Sequence, residues 1–253
     1  MLAKRLTEIM NILEKEETAS VSYLAKQCGV TEKTIRQDLD KLVKLNMATR
    51  VHGGAFLTNS CSEIYPVLAR KQKYISEKRL IAQTALELIE DGDTIFLDAG
   101  STVLELARLL NKDVIVITND ALIAAELLEH KSVTLYCTGG LLQRNNGSYP
   151  FVGPDAIHLI ARYRTRKCFM GCSALNFTYG LMVFSGIEAE IKTEIIKASD
   201  QIICLADYSK FHKTAFSSFL PLEELDICVT NAAVPAKDVE FLREKGVDVR
   251  IAK

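Results

Sequence analysis

The sequence predicts an α/β protein: a mostly parallel, Rossmann-like sheet flanked by helices, preceded by a small helix-turn-helix domain with a two-stranded wing. Three observations lead there. From residue 77 onward, helix-length stretches alternate with short β-branched apolar runs, the pattern of a parallel sheet covered on both faces. Before residue 57 the apolar spacing is helical, and a Gly-containing turn separates two of the helices. The charge divides at much the same place. Residues 1–79 carry fourteen Lys/Arg against nine Asp/Glu, while the remaining 174 carry seventeen against twenty-three. A basic first third on an acidic body points to a polyanionic partner for the first part alone.

The elements follow in order. Residues 3–14 place Leu6, Ile9, Met10 and Leu13 at three- and four-residue spacing, an amphipathic helix. Ser20 caps a short second helix bearing Val21, Leu24 and Ala25, and Cys28-Gly29 turns the chain. Thr31 caps a third helix, Glu32 to about Leu45, with Ile35, Leu39, Leu42 and Val43 inward. After Asn46 a strand, Thr49-Arg50-Val51, is joined through His52-Gly53-Gly54 to Ala55-Phe56-Leu57, a hairpin wing. Residues 58–78 lose periodicity and hold Pro66 and, with the adjoining Arg79, a basic cluster of Arg70, Lys71, Lys73, Lys78 and Arg79, so they read as a partly helical linker whose charges can also touch DNA backbone. The domains expected are therefore 1–57, a linker 58–78, and 79–253.

In the body, helices are expected near 77–90, 102–110, 120–130, 154–163, 187–199 and 236–245. Strands are expected at Thr94–Leu97, Val114–Thr118, Val133–Cys137, Cys168–Met170, Ile202–Ala206, Ile227–Thr230 and Val247–Ile251. There is no internal repeat and no low-complexity tract.

Composition sets bounds on function. At 253 residues, with 48% hydrophobic and 25% charged residues, the chain fits one large or two modest globular domains, which excludes wholesale disorder, collagen and coiled-coil rods. No apolar run approaches the ~18 residues of a membrane span. The start, Met-Leu-Ala-Lys-Arg, lacks an apolar leader core, so the expectation is a cytoplasmic protein without a membrane partner. Seven cysteines without a Cys-x-x-Cys pair read as reduced, mostly buried thiols, many in apolar runs such as Leu135-Tyr136-Cys137. His52, His130, His158 and His212 are scattered without ligand spacing, so neither a metal site nor a cofactor is expected.

Two groups of residues carry candidate chemistry. A recognition helix enters the major groove with its N-terminal residues against base edges. Arg36 can then pair bidentately with guanine and Gln37 with adenine, while Thr31, Lys33 and Thr34 suit phosphates or base edges. With Ser20 and the wing residues Arg50, His52, Gly53 and Gly54 they form the candidate set for a double-stranded DNA operator. A single reader helix covers only a half-site, so a homo-oligomer, dimer or tetramer, is expected.

The second group sits where ligands bind open α/β sheets, beyond the carboxyl ends of the strands. Asp98, Gly100, Ser101 and Thr102 follow one strand and open a helix, offering backbone and hydroxyl donors to a phosphate. Asn119 ends the next strand, and Gly139-Gly140 the one after. Asp207-Tyr208-Ser209-Lys210 puts a carboxylate, hydroxyls and a cation within four residues. Plain turns and caps use the same residue types, so the weight lies on their conjunction.

Both parts resemble one family. The run Arg5-x3-Ile9-x3-Leu13, then Thr31-x2-Thr34-Ile35-Arg36-Gln37-Asp38-Leu39 and Arg50-Val51-His52-Gly53-Gly54-Ala55, is similar to the N-terminal signature of the DeoR family of bacterial regulators. Gln37 stands where that family more often has a basic residue. The body resembles the family's effector domain at Asp91–Thr102, Thr118-Asn119, Gly139-Gly140, Val152-Gly153, Phe169-Met170-Gly171, Glu188–Lys192 and Leu205–Phe211. The resemblance spans essentially the whole chain. It implies a transcriptional regulator, usually a repressor of sugar-catabolic genes, released by a phosphorylated sugar, with an effector fold similar to ribose-5-phosphate isomerase. It also adds Lys192 to the effector-binding set. An isomerase-like enzyme using Asp98, Asp207, Glu188, Lys192 and Lys210 is the alternative from a different class, and turnover of a sugar phosphate would distinguish it. A protein–protein adaptor, the third, predicts no salt-sensitive DNA affinity.

Overall fold

A computed structural model of the chain describes residues 2–16, 18–44, 48–51, 54–57, 74–143 and 149–253. Two compact units divide it, Met1–Ala69 and Arg70–Lys253. His52, Gly53 and most of the expected linker lie outside the described residues.

In the first unit, α1 (Leu2–Glu16), β1 (Thr18–Ser20), α2 (Val21–Gln27) and α3 (Glu32–Lys44) precede the wing strands β2 (Ala48–Val51) and β3 (Gly54–Leu57). The helical spacing buries Ile9 and Leu13 of α1, Leu24 of α2, and Ile35, Leu39 and Leu42 of α3 in one core. Strand β1 is not expected from the sequence, because three residues are too few to show alternation. It makes the wing a three-stranded antiparallel sheet, order β1-β3-β2, with Ala19 opposite Ala55 and Ser20 opposite Gly54. A Cβ on Gly54 would lie 2.4 Å from the Ala19 carbonyl oxygen, so this approach requires glycine.

The second unit opens with α4 (Ile75–Leu86), which begins inside the stretch read as linker. It continues through β4 (Thr94–Leu97), α5 (Ser101–Leu109), β5 (Val114–Thr118), α6 (Ala121–Leu127) and β6 (Val133–Cys137). A two-stranded ribbon of β7 (Leu141–Leu142) and β8 (Phe151–Val152) leads to α7 (Pro154–Ile160) and β9 (Thr165–Met170). The remainder comprises β10 (Ala174–Asn176), β11 (Gly180–Val183), α8 (Gly186–Lys197), β12 (Ser199–Leu205), β13 (Ser217–Leu220), β14 (Ile227–Asn231), α9 (Ala236–Glu244) and β15 (Asp248–Ala252).

Seven strands form one parallel sheet in the order β15-β14-β12-β9-β4-β5-β6. Period-2 alternation sends Phe96, Ile117, Met170 and Cys204 to the face covered by α7, α8 and α9. Ile95, Leu97, Val116 and Phe169 go to the face covered by α4, α5 and α6.

Three expectations need correction. Strands β9 and β12 start three residues earlier than their apolar runs, at Thr165 and Ser199. Their polar first halves extend to the rim, where Lys167 and Arg166 reach the fully buried Asp93 at 2.6 and 3.0 Å. The ribbon β7–β8 and the small antiparallel sheet β10-β11-β13 are too short to stand out from turns. Cys137, expected among buried thiols, is exposed, because β6 is an edge strand; Cys168, Cys204 and Cys228, on interior strands, are buried.

Candidate functional site

Helix α3 presents its first turns outward. The Thr31 Oγ1 accepts the Thr34 N–H at 3.2 Å, a cap that sets where the helix begins. Lys33, Arg36 and Gln37 are exposed, opposite the buried Ile35 and Leu39. Among the described residues the side chains of Lys33 and Gln37 have no partner, whereas Arg36 pairs with Glu32 one turn back at 2.7 Å. Arg50 is tied to this helix: its guanidinium donates to Asp40 Oδ1 at 2.7 Å and to the Arg36 carbonyl at 3.2 Å. The wing strand is thereby clamped to α3. Ser20 accepts the Tyr23 N–H at 3.1 Å and so caps α2.

Arg5 holds α3 from the other side. Its Nε donates to Asp38 Oδ2 at 2.5 Å, and Asp38 is 1% exposed. That carboxylate would be costly to bury alone. The arginine's pKa is raised, first by this hydrogen bond.

The second unit has a topological switch point. From β4 the chain winds outward to β5 and β6, then returns to place β9 on the other side of β4 and continues to β12, β14 and β15. The connections leaving β4 and β9 therefore run in opposite directions, which leaves a crevice beyond their carboxyl ends. Asp98–Gly100 lines one side and Gly171-Cys172 the other.

Asp98 and Lys192 meet at this crevice. The Lys192 Nζ donates to Asp98 Oδ2 and to the Gly171 carbonyl at 3.0 Å, and Glu188 stands 3.7 Å away on the same helix. Both partners are 1% exposed. The Gly171 N–H donates back to Asp98 Oδ2 at 3.3 Å, so the pair joins the strand ends across the crevice. Burial acts to lower the Lys192 pKa, but Asp98 and then Glu188 more than offset it, and the net shift is upward. The ammonium lies 5.4 Å from the centre of the Phe219 ring, which β13 supplies.

Beyond β12, Asp207 Oδ1 accepts the Ser209 N–H at 2.9 Å and shapes a short 3₁₀ turn ending at Lys210. Asp207 Oδ2 is buried without a hydrogen-bond partner. Lys210 is half-buried and, among the described residues, makes no ion pair. Cys172, half-buried in the loop after β9, has a lowered pKa, through its hydrogen bond with Cys204 and then the nearby charges of Lys210 and Lys192. The sequence reading reaches Gly171 only through the family resemblance of Phe169-Met170-Gly171, and assigns neither Cys172 nor Phe219 to the site. Nothing local marks Phe219, because β13 brings it in from a segment that carries no motif.

The other expected residues brace the rim. Asn119 Oδ1 accepts the Ala99 N–H at 3.1 Å and holds the loop after β4 against β5. Gly100 starts α5 without a side-chain cap, so the first amides of that helix have no intrahelical acceptor; Ser101 is half-buried and Thr102 buried. Gly139 and Gly140 adopt φ of +61° and +99°, and a Cβ on Gly140 would lie 2.8 Å from the Val152 carbonyl oxygen. They form a turn packed against the start of α7. Residues from the Asp207–Lys210 turn also touch α4: Tyr208 meets Tyr74 edge-on at 5.3 Å between ring centroids, and Tyr74 precedes α4 at φ 59°. Helix α4 packs both on α5 and on β14 and β15.

Among the described residues, no group of three His, Cys, Asp or Glu side chains could hold a metal ion, and no helix is long and apolar enough to cross a membrane. In comparison with known families, residues 5–61 match the DeoR-like helix-turn-helix domain and residues 73–232 the DeoR C terminal sensor domain. The chain is 32% identical over 251 residues to the putative aga operon transcriptional repressor of Escherichia coli O157:H7, covering 98% of this chain and 93% of that protein. It is 33% identical over 251 residues to the HTH-type transcriptional regulator YulB of Bacillus subtilis, covering 98% and 96%. The HTH-type transcriptional repressor GlcR of the same organism is 28% identical over 251 residues, covering 99% and 96%. Among solved structures, ribose 5-phosphate isomerase A from Methanocaldococcus jannaschii is similar over 55% of each chain, with a TM-score of 0.40 and 18% identity.

Proposed function

Since the chain belongs to the DeoR family and is a DNA-binding transcriptional regulator, we propose that it represses sugar-catabolic genes and that a sugar phosphate in the crevice between β4 and β9 releases it from the operator. The observation that carries this reading is the union, in one chain, of an outward-facing reader helix with a sheet whose switch-point crevice gathers Asp98, Lys192, Asp207 and Lys210. Thr31, Lys33, Thr34, Arg36 and Gln37 read the major groove, while Arg50 and Ser20 support the helices that present them. His52, Gly53 and Gly54, which follow β2 in the sequence, belong to the same interface. In this reading, residues 1–57 form the reader, 58–78 the connection, and 79–253 the sensor.

In the sensor, the uncapped amides of α5 with Ser101 and Thr102 suit a phosphate. Lys210, a half-buried cation without an anionic partner among the described residues, supplies the counter-charge. Asp207 Oδ2, buried and unpartnered, is an acceptor for a sugar hydroxyl. Asp98 and Lys192 already satisfy each other, so they hold the floor of the site and do not shuttle protons. That pairing, with relatives that are regulators, favours a sensor over an isomerase. The protein works in the cytoplasm, as an oligomer, without a resident cofactor.

Release requires that the sugar phosphate bind the DNA-incompetent arrangement more tightly than the competent one. A coupling of about 1–3 kcal/mol changes operator affinity roughly 5–150-fold. The test is fluorescence anisotropy of labelled DNA from upstream of the protein's own gene, titrated with sugar phosphates and their unphosphorylated sugars. Release by one phosphorylated compound alone supports the reading. Absence of salt-sensitive DNA binding overturns it, and so does turnover of a sugar phosphate without DNA affinity.

A further inference from the structure

The two edges of the seven-stranded sheet are built differently. On one edge, β15 carries Asp248 and Arg250, both exposed and paired with each other at 2.7 Å. Charges of this kind keep an edge strand from pairing with another chain. The other edge is β6, Val133-Thr134-Leu135-Tyr136-Cys137, with no charge and no proline. Every residue of β6 is half-buried or exposed.

The hydrogen-bond parity of β6 shows which backbone groups are open. The Thr138 N–H donates to Thr118 and the Ser132 carbonyl accepts from Val114, so the even-numbered residues face β5. Leu135 and Cys137 therefore turn both N–H and C=O to the open edge. Val133 turns its carbonyl there, its N–H being engaged by His130.

Apolar side chains gather around the same edge. Among the described residues, Ile115, Leu128, Tyr136, Leu141, Leu142 and Tyr149 are six of the eleven large hydrophobics left exposed. They belong to β5, the end of α6, β6, β7 and the approach to β8. Such clustering marks an association surface.

We infer that β6 is the seam between two copies of this chain, paired antiparallel about a two-fold axis through Leu135. That axis sets Leu135 opposite its symmetry mate and Val133 opposite Cys137, with about four new backbone hydrogen bonds. Thr134 then lies beside Tyr136 of the other copy, an aromatic–β-branched neighbour pair that stabilises antiparallel strands. An uncharged strand meets itself without repulsion, which suits a second copy better than a charged peptide. A strand pair alone is marginal in water, and the surrounding apolar side chains supply the remaining area. The choice of a second copy as occupant rests on the DNA-reading function, since one reader helix covers a half-site.

The test uses the full chain. Thr134→Lys with Tyr136→Lys sets like charges side by side across the axis, at positions exposed in the single chain. Sedimentation should show a species of half the parent's mass, with circular dichroism unchanged and operator affinity lower by about 100-fold as the two half-sites uncouple. Exchange of the Leu135 and Cys137 amides should slow as parent concentration rises. A variant that keeps the parent's mass, or edge amides whose exchange ignores concentration, overturns the seam while leaving DNA reading intact. A parent that stays monomeric on its own and on DNA overturns it too. Loss of DNA binding by the parent itself would instead overturn the regulatory reading, without touching the sedimentation result.

Discussion

Replacing Lys192 with methionine tests whether the crevice floor is an ion pair or a free ligand-binding cation. The substitution keeps the aliphatic length and removes the ammonium. Asp98, 1% exposed, would keep only backbone N–H donors, from Gly171 at 3.3 Å and from Ala99, and no cation in contact. Removing one partner of a buried pair costs about 3–5 kcal/mol. For a unit of roughly 150–250 residues each kcal/mol is worth about 2–4 °C, so its melting point should fall by roughly 6–20 °C. Calorimetry of the full chain at pH 7 measures this. The double variant Asp98→Asn with Lys192→Met removes both charges and should recover most of the loss. The pH dependence has a definite sign. Burial lowers the Lys192 pKa, Asp98 and Glu188 outweigh it, and the folded value lies above the ordinary one; at Asp98 burial outweighs the pull of Lys192 and the carboxyl is pushed up, so the alkaline limit is set by the lysine alone. The stabilisation is then fully present below about pH 10.4, the ordinary lysine value, and is lost as pH rises through the folded pKa. The gap between parent and Lys192→Met should hold from pH 7 to 9 and narrow in strong alkali. A loss under about 1 kcal/mol at pH 7, or a double variant no more stable than the single one, would refute the ion-pair argument.

Three other substitutions probe the remaining parts. Arg36→Ala should weaken specific binding by about 1–3 kcal/mol and relax preference at one base pair; an equal loss on every sequence in anisotropy titrations would assign it to phosphate alone. Gly54→Ala drives a methyl to 2.4 Å from the Ala19 carbonyl and should destabilise the first unit by about 1–3 kcal/mol, read as a lower melting point and weaker DNA binding. Unchanged melting would show that β1 and β3 part without cost. Lys210→Ala should leave operator affinity unchanged while raising the sugar-phosphate concentration needed for release at least about tenfold; a normal response removes it from the site.

Much of the fold is legible in the sequence because most of it depends on local periodicity. The spacing of Ile9, Leu13, Ile35 and Leu39 marks the helices of the first unit, and the β-branched runs at Val114–Thr118 and Ile227–Thr230 mark strands, the second buried throughout and the first except at Ile115. Elements that depend on distant partners are not legible. Strand β1 exists because β3 lies beside it, and β10, β11 and β13 hold each other in place. The candidate site divides the same way. Asp98, Gly171 and Asp207 stand at strand ends and can be anticipated from the strands, whereas the places of Cys172 and Phe219 in the site arise through tertiary packing. Arg50 illustrates a limit of reading residue type alone: a basic wing residue looks like a phosphate contact, yet Asp40 and the Arg36 carbonyl occupy its guanidinium here.

The place of α4 has a mechanical consequence. This helix packs on α5, which belongs with β4–β6, and on β14 and β15 on the other side of the crevice. It is a splint across the line along which the sheet's two windings meet. Its first turn is preceded by Tyr74, whose ring rests on Tyr208 of the turn that carries Lys210. A non-glycine residue at φ 59° stores backbone strain of about 1–3 kcal/mol and persists only while its surroundings hold it there. A shift of the Asp207–Lys210 turn would therefore work on a loaded joint.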